Sequence, residues 1–395
     1  MGRGENFVIS TSAQIIYLDN NATTRTAPEV LEAMLPYFQE HYANPSSPHR
    51  AGQLARKGID DARASVAGLI GCKDSELIFT GSGTESVNTA IRGLLPVRLP
   101  RKRIVASAVE HSATRELCLQ LAKDGCDVRW IDVDHQGNID LDALSAAITD
   151  ETALVTLHWA NNETGVIFPI QQIGEICRAA RVPFHVDGTQ AVGKIPVDVG
   201  AANVDLLSFA AHKFHGPKGV AALYVRRGVR IHPLLIGGPQ ERNRRGGTEN
   251  VPGIVGMGKA AELAKEHLPD MAGVAGLRDK LEGGILNLVP ETSVNGTTAS
   301  RLPNTTNISF SQVEAEAILL LLSERGVCAS AGAACSSGSL EPSHVLRAMK
   351  IEPRKAHGAI RFSLSRFTTG DEIERTLQVV PGVIAKLRKV MPVGT

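Results

Sequence analysis

The feature that most constrains the fold is the alternation of short apolar runs with longer helical patterns between residues 77 and 225. Several of these runs are apolar at every position, as expected for strands that helices cover on both faces. Alternation of strands and helices over this length predicts an α/β domain built on a largely parallel sheet. The predicted strands are Leu77–Thr80, Ile104–Ala108, Val128–Val133, Ala153–Trp159, Pro183–Val186, Val204–Phe209 and Val220–Val225.

The pattern changes after about Leu263, where strands and helices no longer alternate regularly. We therefore predict a large α/β domain over residues 17–262 and a smaller α+β domain formed by residues 1–16 and 263–395. The elements predicted in this second part are the strand Asn307–Phe310, the helix Glu314–Arg325, the strand Ala359–Leu364 and a final amphipathic helix with apolar residues at Ile373, Leu377, Val380, Ile384 and Leu387.

Two helices are predicted before the alternating region. The first spans Thr26–His41 and begins with Thr26 and Glu29, which have the spacing of a capping box. The second spans Gln53–Ile70 and ends at Gly71. The apolar residues that share one face of the first helix are Leu31, Met34, Leu35 and Phe38.

Composition excludes several classes of protein. The chain has 395 residues and a formal net charge of +1, which argues against a nucleic-acid surface or a polybasic membrane patch. Its longest apolar stretch, Ala317–Leu322, is too short to span a bilayer, and residues 1–20 lack a signal-peptide pattern. The six cysteines include no Cys-x-x-Cys motif. We expect reduced thiols and a cytoplasmic location.

One lysine is placed for chemistry. Lys213 follows the predicted strand Val204–Phe209 and precedes the turn Gly216–Pro217. Most lysines are solvated surface charges, but this one is at a strand end among small residues. That position favours a desolvated amine able to form a Schiff base.

Two segments upstream supply complementary groups. Asp187 directly follows a buried apolar strand, where a carboxylate is costly unless a cation accompanies it. A protonated pyridine nitrogen would be such a cation, while a helix cap or a metal site with His185 are alternatives. The segment Gly81–Ser86 places glycines and hydroxyls at a strand-to-helix junction, which favours an anion. An anion cradle, a buried acid and a lysine together match the needs of a pyridoxal-phosphate enzyme.

The chain also resembles the NifS/IscS-type cysteine desulfurases of the class V aminotransferase family over essentially its whole length. Its Asp-Asn-Asn start and short C-terminal tail look closer to the NifS, nitrogen-fixation branch than to the housekeeping IscS branch. The segments that carry the resemblance are Tyr17–Thr24, Asn44–His49, Ala160–Gly165, His212–Lys213, Arg244–Asn250 and Cys335–Ser339.

This resemblance implies the fold of aspartate-aminotransferase-like enzymes (fold type I), a homodimer and pyridoxal 5′-phosphate as cofactor. It implies conversion of L-cysteine to L-alanine, with the sulfur kept as an enzyme persulfide. A NifU- or IscU-like iron–sulfur scaffold protein would accept the sulfur. A selenocysteine lyase or an aminotransferase on the same scaffold is the alternative function.

Residue roles follow from the same resemblance. Lys213 is expected to hold the cofactor, Asp187 to keep its ring nitrogen protonated and His111 to stack on the ring. The alternative for His111 is a core histidine that follows a strand. The alternative for Arg361 is an ordinary salt bridge on a strand. The other implied contacts are Gln190 to the phenolic oxygen, Gly83, Thr84 and His212 to the phosphate, Thr248 to the phosphate of the partner subunit, and Asn162 and Arg361 to the substrate carboxylate.

Cys335 is the implied nucleophile. It lies in a run of Ala, Ser and Gly from Ala329 to Ser339 that has almost nothing to bury, so we expect an exposed loop and an accessible thiol. Cys328 follows an apolar, strand-like stretch and is expected to be buried. A metal or sulfur carrier using Cys328, Cys335 and His344 is a further alternative, although their spacing matches no standard zinc pattern.

One position departs from the family pattern. The family commonly has a phosphate-binding serine three residues before the lysine, and this chain has Ala210 there. Ser208 shares the same strand face by the two-residue period, but the role of that serine is not transferred to it.

Overall fold

The computed structural model describes residues 15–331 and 342–390, and a seven-stranded sheet lies at its centre. The strands are β1 (Ile16–Tyr17), β2 (Leu77–Thr80), β3 (Arg103–Ser107), β4 (Asp127–Ile131), β5 (Thr152–His158), β6 (Phe184–Asp187), β7 (Leu206–Ala210), β8 (Ala221–Val225), β9 (Thr292–Val294), β10 (Thr305–Phe310), β11 (Val327–Cys328) and β12 (Ala359–Ser363). The large sheet has the spatial order β2-β8-β7-β6-β5-β3-β4. Its neighbours are parallel except for β8, which is antiparallel to both β2 and β7.

Helices separate most of these strands along the chain. They are α1 (Pro28–Met34), α2 (Pro36–Gln39), α3 (Arg50–Ile70), α4 (Gly83–Arg98), α5 (Ser112–Lys123), α6 (Leu141–Ala147), α7 (Ile170–Ala179), α8 (Gln240–Asn243), α9 (Val251–Glu266), α10 (Met271–Leu288), α11 (Ala315–Glu324), α12 (His344–Ala348), α13 (Pro353–Ala356) and α14 (Gly370–Val390).

The large sheet is covered on both faces, which explains why its strands are apolar at every position. Side chains alternate between the faces along each strand. Leu206 thus packs in a cluster with α4 and α5, whereas Leu207 packs in the larger cluster with α3, α7 and α9. Every predicted strand of this region is confirmed within about two residues at each end.

A separate apolar cluster joins the start of the described chain to its C-terminal part. Ile16 and Leu18 pack there with residues between 274 and 384, beside an antiparallel sheet in the order β12-β10-β9. Val345 and Met349, in contrast, pack in the core of the large sheet. The proposed domain boundaries at residues 17 and 263 stay a prediction.

The prediction of one helix over Thr26–His41 is wrong. The chain forms α1 and α2 instead, because Pro36 lacks the N–H that a continuous helix needs at that point. The capping box is absent too, since Ala27 occupies the N-cap and no side chain caps the helix. The second predicted helix does end at Gly71, whose φ of 71° is left-handed.

No helix within residues 15–331 and 342–390 is both long and apolar enough to cross a membrane.

Candidate active site

A cavity of about 230 Å³ opens at the carboxyl ends of the parallel strands. Open α/β sheets place their ligands at this edge. The cavity brings together residues that are up to 131 positions apart in sequence, from Ser82 to Lys213. The predicted site residues on its wall are Gly83, Thr84, His111, Asn162, Asp187, Gln190, His212 and Lys213.

The N-terminus of α4 forms one end of the cavity. Ser82 caps this 16-residue helix by accepting the backbone N–H of Glu85 at 3.1 Å, so Gly83 and Thr84 begin the first turn. A Cβ atom at Gly83 would lie 3.6 Å from both the Ala210 Cβ and the Thr189 Oγ1. The missing side chain therefore leaves a small space in front of unsatisfied backbone N–H groups, which suits an anion.

His111 stands on the cavity wall at the N-cap of α5. Its Nδ1 accepts the backbone N–H of Ala113 at 3.1 Å, which fixes the ring orientation. This contact requires Nδ1 to be unprotonated, leaving Nε2 as the nitrogen that carries the proton in the neutral ring.

A buried acid–histidine pair lies beside the cavity, and no sequence pattern indicates it. Glu110 is fully buried, and its Oε1 is 3.4 Å from Nδ1 of His158. Burial raises the pKa of Glu110 to about 8 and lowers the pKa of His158 to about 3. His158 Nε2 has no hydrogen-bond partner among the described residues, and its ring lines the cavity.

Asp187 ends β6 and is only 6% exposed. Its Oδ1 accepts the backbone N–H of Thr189 at 3.0 Å, so the carboxylate has a fixed orientation. It also faces His158 across the register of β5 and β6, on the same side of the sheet. A carboxylate buried to this extent is suited to a cationic partner such as a protonated ring nitrogen.

Lys213 and His212 follow β7 and line the same cavity. The Nζ of Lys213 donates to the backbone oxygens of Asn21 at 2.7 Å and Ala22 at 2.8 Å. His212 contacts Thr23 Oγ1 at 3.1 Å. Burial, followed by the nearby charge of Lys213, lowers the pKa of His212 to about 4, so its ring is neutral at pH 7.

Asn21 connects much of the site through its backbone and its side chain. Its backbone oxygen accepts from Lys213 and from Gln190 Nε2 at 3.0 Å. Its side-chain Nδ2 donates to the backbone oxygen of Asn162 at 3.1 Å. The motif Asp-Asn-Asn marked this segment, but only the folded chain shows what it contacts.

Arg361 does not line this cavity. Its Nη2 donates to Asp19 at 2.6 Å and its Nη1 to the backbone oxygen of Asn162 at 3.0 Å. The guanidinium is 2% exposed, and its Nε has no partner in the described chain. The ion pair with Asp19 corresponds to the strand salt bridge considered as an alternative, and binding of a substrate carboxylate stays a prediction.

Thr248 and Cys335 are also outside the cavity wall. Thr248 is exposed and lies with Gly81 and Arg245 at a neighbouring cavity of about 120 Å³. Cys335 lies outside the described residues. Cys328 in β11 is half-buried, and burial raises its pKa.

Ala210 contributes no hydroxyl of its own to the anion cradle, whereas the Thr189 hydroxyl lies close to Gly83. Ser208 does not replace it, because the Ser208 hydroxyl contacts His185 Nε2 at 2.9 Å. The other ring nitrogen of His185 contacts Thr156 Oγ1 at 2.8 Å. His185 is therefore a hydrogen-bonded core residue, and no group of three or more His, Cys, Asp or Glu side chains in the described ranges is placed to hold a metal ion.

Comparison with known proteins assigns the family. The aminotransferase class-V family profile matches residues 16–376. The chain belongs to this family. It is 54% identical to cysteine desulfurase 2 of Trichormus variabilis, over 96% of this chain and 95% of that one. It is 50% identical to cysteine desulfurase NifS of Azotobacter vinelandii, over 95% and 94% of the two chains.

Solved structures confirm the fold class. A NifS-like protein superposes with a TM-score of 0.89 at 38% identity, covering 95% of this chain and all of the other. The chain is thus a pyridoxal-phosphate-dependent enzyme with the aspartate-aminotransferase-like fold.

The residues present fit this cofactor. The space at Gly83 and the start of α4 suit its phosphate, and Asp187 suits its ring nitrogen. Lys213 lines the same cavity. His158 Nε2, which is buried and has no hydrogen-bond partner among the described residues, is a further polar group beside the cavity.

Proposed function

We propose that this enzyme is a cysteine desulfurase that converts L-cysteine to L-alanine. The observation that carries this proposal is the convergence of Lys213, Asp187 and the α4 anion cradle on one cavity. The choice of L-cysteine as substrate is supported by relatives named cysteine desulfurases. Two of them are 54% and 50% identical to this chain over nearly its full length.

The bound cofactor supplies an electron sink that acidifies the Cα–H of the amino acid. Lys213 would be the amine that holds the cofactor, and its Nζ would accept or return the proton of the substrate carbon. Asp187 keeps the ring nitrogen cationic, and the α4 N-terminus binds the phosphate. Neutral His111, with its proton at Nε2, lies where it can donate to a substrate or cofactor oxygen.

Sulfur transfer needs a thiolate, and we assign it to Cys335. The C–S bond of L-cysteine breaks as an S–S bond forms, so the substrate carbon is reduced while the sulfur becomes a persulfide. A proton on the substrate carbon completes L-alanine. Only the deprotonated thiol is a competent nucleophile.

The residues on both sides of the segment that carries Cys335 support this assignment. Ser330 pairs through its backbone with Arg361, at 2.7 and 3.2 Å. His344 contacts the backbone oxygen of Glu110 at 2.9 Å, next to His111. Arg361 in turn bonds to the backbone oxygen of Asn162, and Glu110 precedes His111, so the described residues before and after the segment connect to the cavity wall through one intermediate residue each. Five peptide units limit the Cα of Cys335 to about 18 Å from that of Ser330.

Replacing each cysteine in turn tests the proposal. Cys335→Ala should bind pyridoxal phosphate and L-cysteine, seen as changes in visible absorbance, but form neither persulfide nor alanine at a useful rate. Cys328→Ala is the matched control and should keep its activity, because the Cys328 thiol is half-buried and its pKa is raised. Alanine is measured by chromatography and the persulfide by mass spectrometry. Full desulfuration by Cys335→Ala would disprove the assignment.

We further propose a homodimer. Ile236 is 89% exposed, and its chain neighbour Gly237 packs against Gly246 in the loop that carries Thr248. Exposed apolar groups next to a candidate phosphate ligand favour a partner subunit at this surface. α1 and α2 add Leu31 and Phe38, which are 52% and 60% exposed.

The acceptor of the sulfur is proposed to be a NifU- or IscU-like iron–sulfur scaffold protein, in keeping with the NifS relative and a role in nitrogen fixation. Five described cysteines are free thiols, which supports a reducing, cytoplasmic setting. Mixing the persulfide form with candidate scaffolds and following the transferred sulfur by mass spectrometry would identify the acceptor.

A further inference from the structure

Lys194 is a buried lysine beside the site that the reaction scheme above does not use. The residue is only 6% exposed. Its Nζ donates to Asn21 Oδ1 at 2.9 Å and to Gln190 Oε1 at 2.5 Å. Burial lowers its pKa well below the usual value, and the nearby cations Lys213 and Arg361 lower it further. Both partners are neutral amide oxygens, and Lys194 forms no ion pair with another described residue.

These contacts determine the orientation of the side-chain amides of Gln190 and Asn21. A lysine has at least two N–H groups whether it is charged or neutral, and it uses them here on two oxygens. Gln190 must then direct its Nε2 away from Lys194, and that nitrogen donates to the backbone oxygen of Asn21 at 3.0 Å. Because an amide nitrogen has two N–H groups, the second remains for the cavity that Gln190 lines.

Asn21 is held in the same way. Its Oδ1 accepts from Lys194 and also from Asn304 Nδ2 at 3.1 Å. Its Nδ2 therefore faces the backbone oxygen of Asn162. The backbone oxygen of Asn21 in turn accepts from Lys213 at 2.7 Å. Lys194 thus contacts the Gln190 amide directly and is connected to Lys213 through Asn21.

We propose that Lys194 is a positioning residue that locks the Gln190 and Asn21 amides, so that Gln190 presents an N–H to the cofactor's phenolic oxygen. This inference rests on the proposed function. Without the Nζ donor, Gln190 Oε1 has lost its hydrogen bond and the amide is free to rotate. In the rotated orientation the Gln190 amide oxygen would face the phenolate and repel it. In the original orientation the N–H stabilises the phenolate.

The test uses purified full-length protein without substrate. Lys194→Met keeps the length of the side chain but has no N–H. It should raise the dissociation constant for pyridoxal phosphate about 3- to 10-fold, the size of one net hydrogen bond. It should also raise the pH midpoint of the visible absorbance change, because a less stabilised phenolate binds a proton more easily. Lys123→Met, at an exposed lysine of α5, is the control and should change neither value.

A second set of variants separates positioning from mere stability. Gln190→Ala should shift the midpoint in the same direction, and adding Lys194→Met to it should shift the midpoint little further, because coupled residues are non-additive. Fully additive shifts, or a Lys194→Met protein with lower thermal stability but unchanged affinity and midpoint, would overturn the proposal.

Two further variants decide the question if Lys194→Met does not fold. Gln190→Glu keeps an oxygen acceptor for Lys194 and removes the N–H, so an unchanged midpoint in that variant would also overturn the proposal. Lys194→Arg retains donors and should restore the midpoint towards that of the unmodified protein. Alanine release from L-cysteine by the unmodified protein is assayed separately, so that failure of the desulfurase activity is distinguished from failure of this inference.

Discussion

Single residues of the site divide into those that local sequence could reveal and those that it could not. Lys213, Asp187 and Gly83 stand at strand ends or a strand-to-helix junction, positions that the apolar pattern locates. Asn21 and Lys194 stand in no such pattern, and their importance arises from contacts between distant parts of the chain. A buried lysine is recognised only once its surroundings are known.

Gly83→Ala should separate cofactor binding from stability. The added Cβ meets only ordinary contacts at 3.6 Å, so the fold should tolerate it. It would, however, occupy the space in front of the α4 N-terminus and weaken pyridoxal-phosphate binding about tenfold or more, roughly 1.4 kcal/mol. Spectroscopic titration of the apoprotein measures this. Gly273→Ala in α10, with nothing within 4 Å of the new atom, should leave the affinity unchanged. Equal affinities in both variants would contradict the phosphate assignment.

At the level of elements, the strands were predictable and the first helices were not. Strands buried on both faces leave continuous apolar runs between turns, and β2 begins and ends at the predicted residues. The apolar face predicted for a helix over Thr26–His41 is largely exposed, with Leu35 at 50%. Apolar periodicity indicates which residues share a helix face, but it does not identify what covers that face. Pro36 divides the helix despite the periodic pattern, because proline has no backbone N–H.

The packing of α3 against α9 depends on one glycine. A Cβ at Gly258 would lie 2.5 Å from the Cα of Ala62, so the two helices would have to move apart. Gly258→Val should lower the free energy of unfolding by about 2–3 kcal/mol, even though valine favours the helix slightly more than glycine does. Gly276→Val in α10 meets nothing within 4 Å and is the control for denaturant unfolding. Similar losses in the two variants would show that close packing is not the cause.

Across the whole molecule, buried histidines should make the fold sensitive to acid. Burial lowers the pKa of His158 to about 3 and those of His185 and His215 to about 4. Each is neutral in the folded state and takes up a proton on unfolding below its ordinary pKa of about 6.5. Their contribution is complete above that pH and is lost as the pH falls towards 4, by about 1.4 kcal/mol per unit for each histidine.

Unfolding of the apoprotein between pH 7 and pH 5 measures this slope. His185→Gln should flatten it by about 1.4 kcal/mol per unit, while lowering stability at pH 7 through the loss of ring contacts to Thr156 and Ser208. An unchanged slope would show that His185 is already protonated in the folded state.

The proposed dimer can be tested through its exposed surface. Ile236→Asp should shift the protein towards monomers in analytical ultracentrifugation, because a charge would be buried at the interface. It should also weaken pyridoxal-phosphate binding if Thr248 completes the phosphate site of the partner subunit. Leu320→Asp, at a residue of α11 that is 64% exposed, is the control and should remain dimeric. A monomeric Ile236→Asp protein with full cofactor affinity would refute the shared site.

The contacts of Asn21 have a consequence for how the enzyme is made. The backbone N–H of Asn21 donates to the hydroxyl of Ser363 at 2.9 Å, and Asn20 donates to the backbone oxygen of Ser363 at 3.1 Å. A ribosome synthesises these two positions more than 340 residues apart. The Asn21 backbone that contacts Lys213, the proposed cofactor lysine, therefore reaches its full set of contacts only after β12 has emerged and paired. Cofactor capture should be among the last events of biosynthesis, and nascent or truncated chains should not sequester pyridoxal phosphate.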